Sequence, residues 1–135
     1  MGLDMYLYGA TWKMDEETHN VEITLTEVAY WRKQNAIHNW IVENVQRGVD
    51  NCAMYYVDDS HLKKLLLACR KVLENPTVEN AMNILPTKEG FFFGGTDLTD
   101  DYEFEYYLEG LKYTVEKIRE LLNGGYEYYY YNSSW

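Results

Sequence analysis

The 135 residues of this chain are 47% apolar and 25% charged, a composition typical of one globular domain, which we take to span residues 1–135. Twenty-two acidic and 12 basic residues leave a net charge of −10, which repels phosphate backbones and anionic lipid head groups and argues against direct nucleic-acid binding. No stretch approaches about 18 uncharged apolar residues and the start lacks a secretory signal pattern, so we expect a cytoplasmic protein without a membrane span.

The first half of the chain changes its hydrophobic period once. Residues 3–8 alternate apolar and polar side chains, as a strand does, and residues 21–25 alternate again after a polar connection. This pattern predicts two antiparallel strands. From Thr26 the apolar residues recur at spacings of three and four through about residue 46, which predicts a long first helix capped by Thr26 and ended by Gly48.

The second half carries two further helical patterns of good length. The predicted elements are a strand at 53–57, a second helix capped within 58–60, a short helix at 77–85, a brief strand at 91–93, a third long helix at 100–122 and a tyrosine-rich strand at 126–131. The sequence therefore predicts an α+β fold, a small, mostly antiparallel sheet with about three helices packed on it.

Polar and aromatic residues cluster on the predicted first helix. Trp31, Asn35 and His38 have the spacing of one helical face, and Arg32 and Asn39 lie along its edge. Together they could stack a flat ring, hold a phosphate or carboxylate and bind the edge of a base. The alternative is a helix flank whose polar groups bond a neighbouring loop, and the residues alone leave both open.

The last ten residues are unusually aromatic. Strand alternation places Tyr129 and Tyr131 on one side of the predicted final strand, and Trp135 follows a short polar segment. Because an apolar end favours docking, we expect this tail to be packed. It would form either a core strand with a tucked tail or the wall of a pocket facing Trp31.

No known catalytic or metal-binding motif is present. Cys52 and Cys69 lack the spacing of a zinc site, and the acidic residues near position 100 do not follow a calcium-loop pattern. We therefore predict no metal, no cofactor and no catalytic residue. As a general base, His38 would need an orienting carboxylate, for which Glu27 and Asp4 are candidates.

Five segments stand out in combination: GLDMYL at residues 2–7, EVAYWRK at 27–33, IHNW at 37–40, LPT at 85–87 with GFFFG at 90–94, and SSW at 133–135. In this order they resemble a family of small phage and prophage proteins with no established activity. The resemblance implies expression in a bacterial cytoplasm, from a genome whose accessory proteins often counter host defence or redirect host machinery.

Convergence of these segments would create an aromatic-walled pocket for a nucleotide-like ligand, which we interpret as a host defence signal that the protein sequesters. The expected ligand-binding residues are Trp31, Arg32, Asn35, His38, Asn39, Thr87, Phe92, Tyr129, Tyr131 and Trp135. Two alternatives stay open: an inhibitor that binds a basic host protein through the glutamates of the third long helix, and a hydrolase that acts on such a ligand. The oligomeric state is also open, a homo-oligomer included.

Overall fold

Eight elements of secondary structure make up residues 2–135, the part of the chain that the computed structural model describes. They are β1 (Asp4–Met14), β2 (Val21–Arg32), α1 (Asn35–Asn44), β3 (Tyr55–Val57), α2 (Asp59–Glu74), α3 (Val78–Ile84), α4 (Asp101–Leu122) and β4 (Tyr128–Ser134). The strands form one antiparallel sheet in the order β2-β1-β4-β3. The predicted α+β class is confirmed, with one helix more than the three expected.

The hydrophobic core lies between one face of this sheet and the helices. Met5 and Leu7 of β1 and Tyr129 and Tyr131 of β4 alternate toward the helices, where they join a cluster that includes Leu111 of α4. The intervening side chains of the same strands stay partly exposed on the opposite face. Strand alternation therefore decides which residues of each strand can reach the core.

The predicted first helix begins too early. Residues 26–32 belong to β2, and α1 starts only at Asn35. Leu7 pairs with Ala29 but the next residue, Tyr8, pairs with Glu27, so Val28 is the extra residue of a β-bulge. Because the bulge interrupts the two-residue period, the apolar spacing in this part of β2 imitates that of a helix.

The second half of the chain follows its predicted order with shifted boundaries. Asp58 caps α2 by accepting from the backbone N–H of His61 at 3.0 Å, and Thr77 caps α3 by accepting from that of Asn80 at 3.1 Å. The predicted strand at 91–93 is wrong, since these residues form a turn instead. Within residues 2–135, no helix has the length and hydropathy needed to cross a bilayer.

Candidate functional site

One pocket of about 260 Å³ lies where three separate segments of the chain meet. Its lining comes from α1 with the loop that follows it, from the turn at 88–93, and from Trp135. Its lining residues are Asn35, His38, Asn39, Val42, Gly48, Asp50, Lys88, Glu89, Gly90, Phe91, Phe92, Phe93 and Trp135. The volume is near the lower end of small-molecule sites, about 300 Å³.

His38 links the pocket to the sheet through two hydrogen bonds. Its side chain is 2% exposed, with Nδ1 at 2.6 Å from the hydroxyl of Tyr131 and Nε2 at 2.9 Å from Oδ1 of Asp50. Tyr131 is fully buried in β4, whereas the Asp50 carboxylate is partly exposed at the pocket. Both ring nitrogens of His38 are therefore engaged.

The protonation states of His38 and Tyr131 follow from their burial. Burial lowers the pKa of His38 against the opposing effect of the Asp50 carboxylate, and burial raises the pKa of the Tyr131 hydroxyl well above its usual range. A neutral imidazole then donates from Nε2 to the carboxylate and accepts at Nδ1 from the tyrosine O–H. His38 has no free nitrogen with which to take a proton from a substrate.

Burial of His38 also predicts a pH-dependent stability. The folded pKa lies below the unfolded value of about 6.5, so the unfolded chain binds the proton first and stability falls as pH decreases through 6.5 toward the folded pKa. The His38 contribution is complete above that window. We expect the Tm of the wild type to decrease as the pH is lowered from about 7.5 to about 5.5. In His38→Gln the Tm should lose the part of this pH dependence that His38 causes. Equal slopes in matched thermal melts would contradict the assignment.

Asn35 holds the turn at 88–93 against α1. Its Nδ2 donates to the carbonyl oxygens of Lys88 at 3.3 Å and Gly94 at 3.0 Å, which orients the amide. The amide oxygen Oδ1 is buried without a partner, although an unpaired buried polar group costs about 1–3 kcal/mol. An acceptor is therefore left at a residue that lines the pocket.

The turn itself presents aromatic rings to the pocket. Gly90 and Gly94 exchange two backbone hydrogen bonds of 2.9 Å, and a Cβ at Gly90 would lie 2.1 Å from the ring of Phe93. Phe93 packs edge-on against His38, while Phe92 stacks on the indole of the last residue with ring centroids 5.2 Å apart. Glycine at position 90 thus lets Phe93 fold inward while Phe92 stays at the rim.

Trp135 contributes a second unpaired polar atom. Its Nε1 is buried and has no hydrogen-bond partner, although the indole N–H is a donor that ordinarily finds one when buried. The side chain as a whole is half-buried against Phe92 and Phe93. The pocket wall therefore combines stacked rings with one unpaired donor and one unpaired acceptor.

The structure brings half of the ten predicted ligand-binding residues together. Asn35, His38, Asn39, Phe92 and Trp135 line the pocket. Tyr131 lies behind them and bonds His38.

The other four predicted residues lie outside the pocket. Trp31 is a core residue whose Nε1 donates to Thr114 at 2.8 Å, so the predicted face shared with Asn35 and His38 does not exist. Tyr129 donates to the Leu121 carbonyl and Thr87 to that of Thr96. Arg32 pairs with Asp4 at 2.8 Å and borders a separate surface hollow.

Sequence reasoning missed the charged residues of the pocket. Asp50 is the carboxylate partner of His38, whereas Asp4 pairs with Arg32 and Glu27 lies on the exposed part of β2. Asp50 lies in a loop twelve residues after His38, where neither helical nor strand periodicity applies. Lys88 and Glu89 precede the recognisable glycine–phenylalanine segment and carry no motif of their own.

The polar side chains of the pocket are of four kinds: two amides, two carboxylates, one lysine and the imidazole of His38. Within residues 2–135 no cluster of three His, Cys, Asp or Glu side chains is arranged to hold a metal ion. The thiol of Cys69 is buried elsewhere in the core, and burial raises its pKa to about 12. Comparison of the chain with protein-family models, curated proteins and solved structures finds no match.

Proposed function

We propose that the protein binds a small nucleotide-like ligand in this pocket and sequesters it without chemical change. The proposal rests on one observation: two residues that line the same aromatic-walled pocket each hold a buried atom without a hydrogen-bond partner. These atoms are Oδ1 of Asn35 and Nε1 of Trp135. A nucleobase has ring faces that stack on aromatic side chains and edges that carry both donors and acceptors. Such a ligand carries a donor for Oδ1 of Asn35 and an acceptor for Nε1 of Trp135, which would meet it if the two side chains turn toward the pocket.

The charges around the pocket favour the base and sugar over the phosphate. Among the lining residues, two carry a carboxylate, Asp50 and Glu89, and one carries a positive charge, Lys88. Carboxylates accept hydrogen bonds from amino groups and hydroxyls but repel phosphate. Because Arg32 is bound to Asp4 outside the pocket, a phosphate in the pocket would depend on Lys88. The proposed ligand therefore places its nucleoside part inside.

Binding without turnover fits the environment of His38. A general base needs a nitrogen that reaches the substrate, and both nitrogens of His38 are already bonded to Tyr131 and Asp50. The hydrolase alternative consequently has less support. It predicts a breakdown product in place of the intact ligand.

The biological setting of the proposal comes from the sequence. The resemblance to phage and prophage proteins supports a role in the bacterial cytoplasm, where the sequestered ligand would be a signal of host anti-phage defence. The chemistry of the pocket supports the ligand class, and the resemblance supports the setting, so the two parts of the proposal can be tested separately.

The first test is native mass spectrometry of protein purified from a defence-active bacterial host, followed by heat release and identification of small molecules. In parallel, thermal melts with a panel of cyclic and ADP-ribose-type nucleotides measure affinity. A ligand at about 100 times its Kd adds about 2.7 kcal/mol, which raises the Tm by several degrees. An empty protein and an unchanged Tm across the panel would refute the proposal.

A pair of variants tests the location of binding. We expect Phe92→Ala to weaken the binding of the best panel nucleotide by about tenfold or more, because stacking of one base on an aromatic ring contributes about 1–3 kcal/mol. Arg32→Ala, outside the pocket, should leave the affinity nearly unchanged. Isothermal titration with both variants decides the matter, and the reverse order of effects would place the site at Arg32.

A second candidate, inhibition of a basic host protein, rests on the surface of α4. The exposed acidic residues of this helix lie on the side turned away from the core and are Asp101, Glu105, Glu109, Glu116 and Glu120. Ionic contacts of this kind weaken as salt screens them. This candidate predicts a pull-down of one basic protein that is lost at high salt and is unaffected by Phe92→Ala.

A further inference from the structure

The face of the sheet opposite the core carries many tyrosine side chains. Strand alternation places six of them there, Tyr6, Tyr8, Tyr30, Tyr56, Tyr128 and Tyr130. Neighbouring rings touch across the strands: the centroids of Tyr6 and Tyr30 are 5.4 Å apart, and those of Tyr56 and Tyr130 are 5.9 Å apart. Each ring keeps part of its surface exposed. This face therefore presents aromatic rings to the outside.

The hairpin of β1 and β2 extends beyond the sheet as a two-stranded arm. Pairing of β1 with β4 ends at Ala10, so residues 11–14 and 21–24 continue with only each other as neighbours. Directly opposed residues share a face, and the opposed pairs on one face are all apolar: Ala10 with Leu25, Trp12 with Ile23, and Met14 with Val21. The other face of the arm carries Thr11 with Thr24 and Lys13 with Glu22.

The tyrosines and the apolar side of the arm lie on the same side of β1. In β1 the bulge adds no residue, so Tyr6, Tyr8, Ala10, Trp12 and Met14 follow one another on that side, and of these only Ala10 has no exposed surface. We refer to this surface, from the six tyrosines to the apolar side of the arm, as the open face. A two-stranded arm is marginally stable by itself, so its apolar side gains most from a partner.

The size of the open face matches one half of a stable interface. Seven of its large side chains, Trp12, Met14, Val21, Ile23, Leu25, Tyr30 and Tyr56, are between 39% and 58% exposed. At about 200 Å² for a large side chain, these seven and the four other tyrosines present roughly 800 Å², the area that each partner contributes to a standard interface. Monomeric proteins seldom leave a contiguous apolar patch larger than about 300–600 Å².

The distribution of charge selects the partner. The open face carries Glu27 and the ion pair of Asp4 with Arg32, whereas the acidic surplus lies on the arm tip at 15–17 and on α4. A nearly uncharged face offers no attraction to phosphate or anionic lipid. It is complementary to an equally uncharged, apolar sheet, which is what a second copy of this chain presents.

We propose that the open face is a homodimer interface, in which two copies pack sheet on sheet about a two-fold axis. Packed sheets lie about 10 Å apart with interdigitated side chains, and a two-fold axis brings the same patch of each copy together. The arms then bury Trp12 and Ile23 against the partner. The dimer is independent of ligand binding, because the pocket is lined by none of the residues of the open face.

Sedimentation equilibrium of the full chain tests the proposal. We expect a mass of twice 16.0 kDa at micromolar concentration. Salt should strengthen the dimer, because it screens the repulsion between two chains of charge −10. A monomer at every concentration and salt level overturns the proposal, as does an association that salt weakens.

Two lysine substitutions on adjacent residues of β2 test whether the open face forms the dimer interface. Ile23→Lys places a charge on the apolar side of each arm, and symmetry doubles the effect, so the dimer Kd should rise at least about 100-fold. Thr24→Lys adds the same charge on the opposite side and should leave the Kd within a few-fold. Both positions are exposed, and far-ultraviolet circular dichroism checks that each variant is folded. Equal effects of the two substitutions overturn the assignment of the face.

Discussion

His38→Ala is expected to lower the free energy of unfolding by about 3–5 kcal/mol. The substitution leaves a cavity at a side chain that is 2% exposed, and large-to-small core changes cost about 2–5 kcal/mol. It also removes the acceptor of the fully buried Tyr131 hydroxyl, for which an unpaired state costs about 1–3 kcal/mol. Urea denaturation of the wild type and the variant measures the difference.

A double-mutant cycle separates the hydrogen bond from the packing of His38. Tyr131→Phe alone should cost about 1–3 kcal/mol, because it leaves Nδ1 of His38 buried without a partner. Each single change breaks the same bond, so the double variant should cost less than the two single variants together by about 1 kcal/mol or more. Simple additivity would show that the two groups are not coupled. The coupling energy would also show how strongly the hydrogen bond to Tyr131 of β4 holds His38 in place at the pocket.

Trp31→Ala is expected to destabilise the protein by about 3–5 kcal/mol, the range for removing a large aromatic side chain from a core. The indole is 4% exposed, packs edge-on against Tyr113 and donates to Thr114. Removal leaves a cavity and takes away one hydrogen bond from the buried Thr114 hydroxyl, which still donates to the carbonyl oxygen of Gly110 at 2.7 Å. Thermal unfolding followed by circular dichroism measures the loss.

Two controls show whether the core position of Trp31 causes the loss. Thr114→Val keeps the volume but removes the acceptor of the indole N–H, so about 1–3 kcal/mol should be lost. Tyr102→Ala removes an aromatic ring that is 81% exposed and should change stability by less than about 0.5 kcal/mol. A small effect of Trp31→Ala, with weakened nucleotide binding, would return Trp31 to the ligand site.

The two groups of predicted site residues differ in the range of the interactions that place them. Asn35, His38 and Asn39 reach the same pocket because they lie on successive turns of one helix, which local spacing captures. Phe92 and Trp135 were identified as unusual from composition, yet only the folded chain stacks them. Trp31 and Arg32 were predicted on a helix because the bulge at Val28 interrupts the two-residue period of β2. They lie in the strand, where they pair with Met5 and Asp4.

By itself, the sequence determined the α+β class, the order of most elements and the side of β1 that faces the core. These features depend on hydrophobic period and on capping residues such as Asp58, which act over a few neighbouring positions. Only the tertiary structure decided that His38 bonds Asp50 and Tyr131 and that the rings of the 90–94 turn meet the last residue. Those contacts join segments distant along the chain, and their geometry follows from how the sheet and helices pack together.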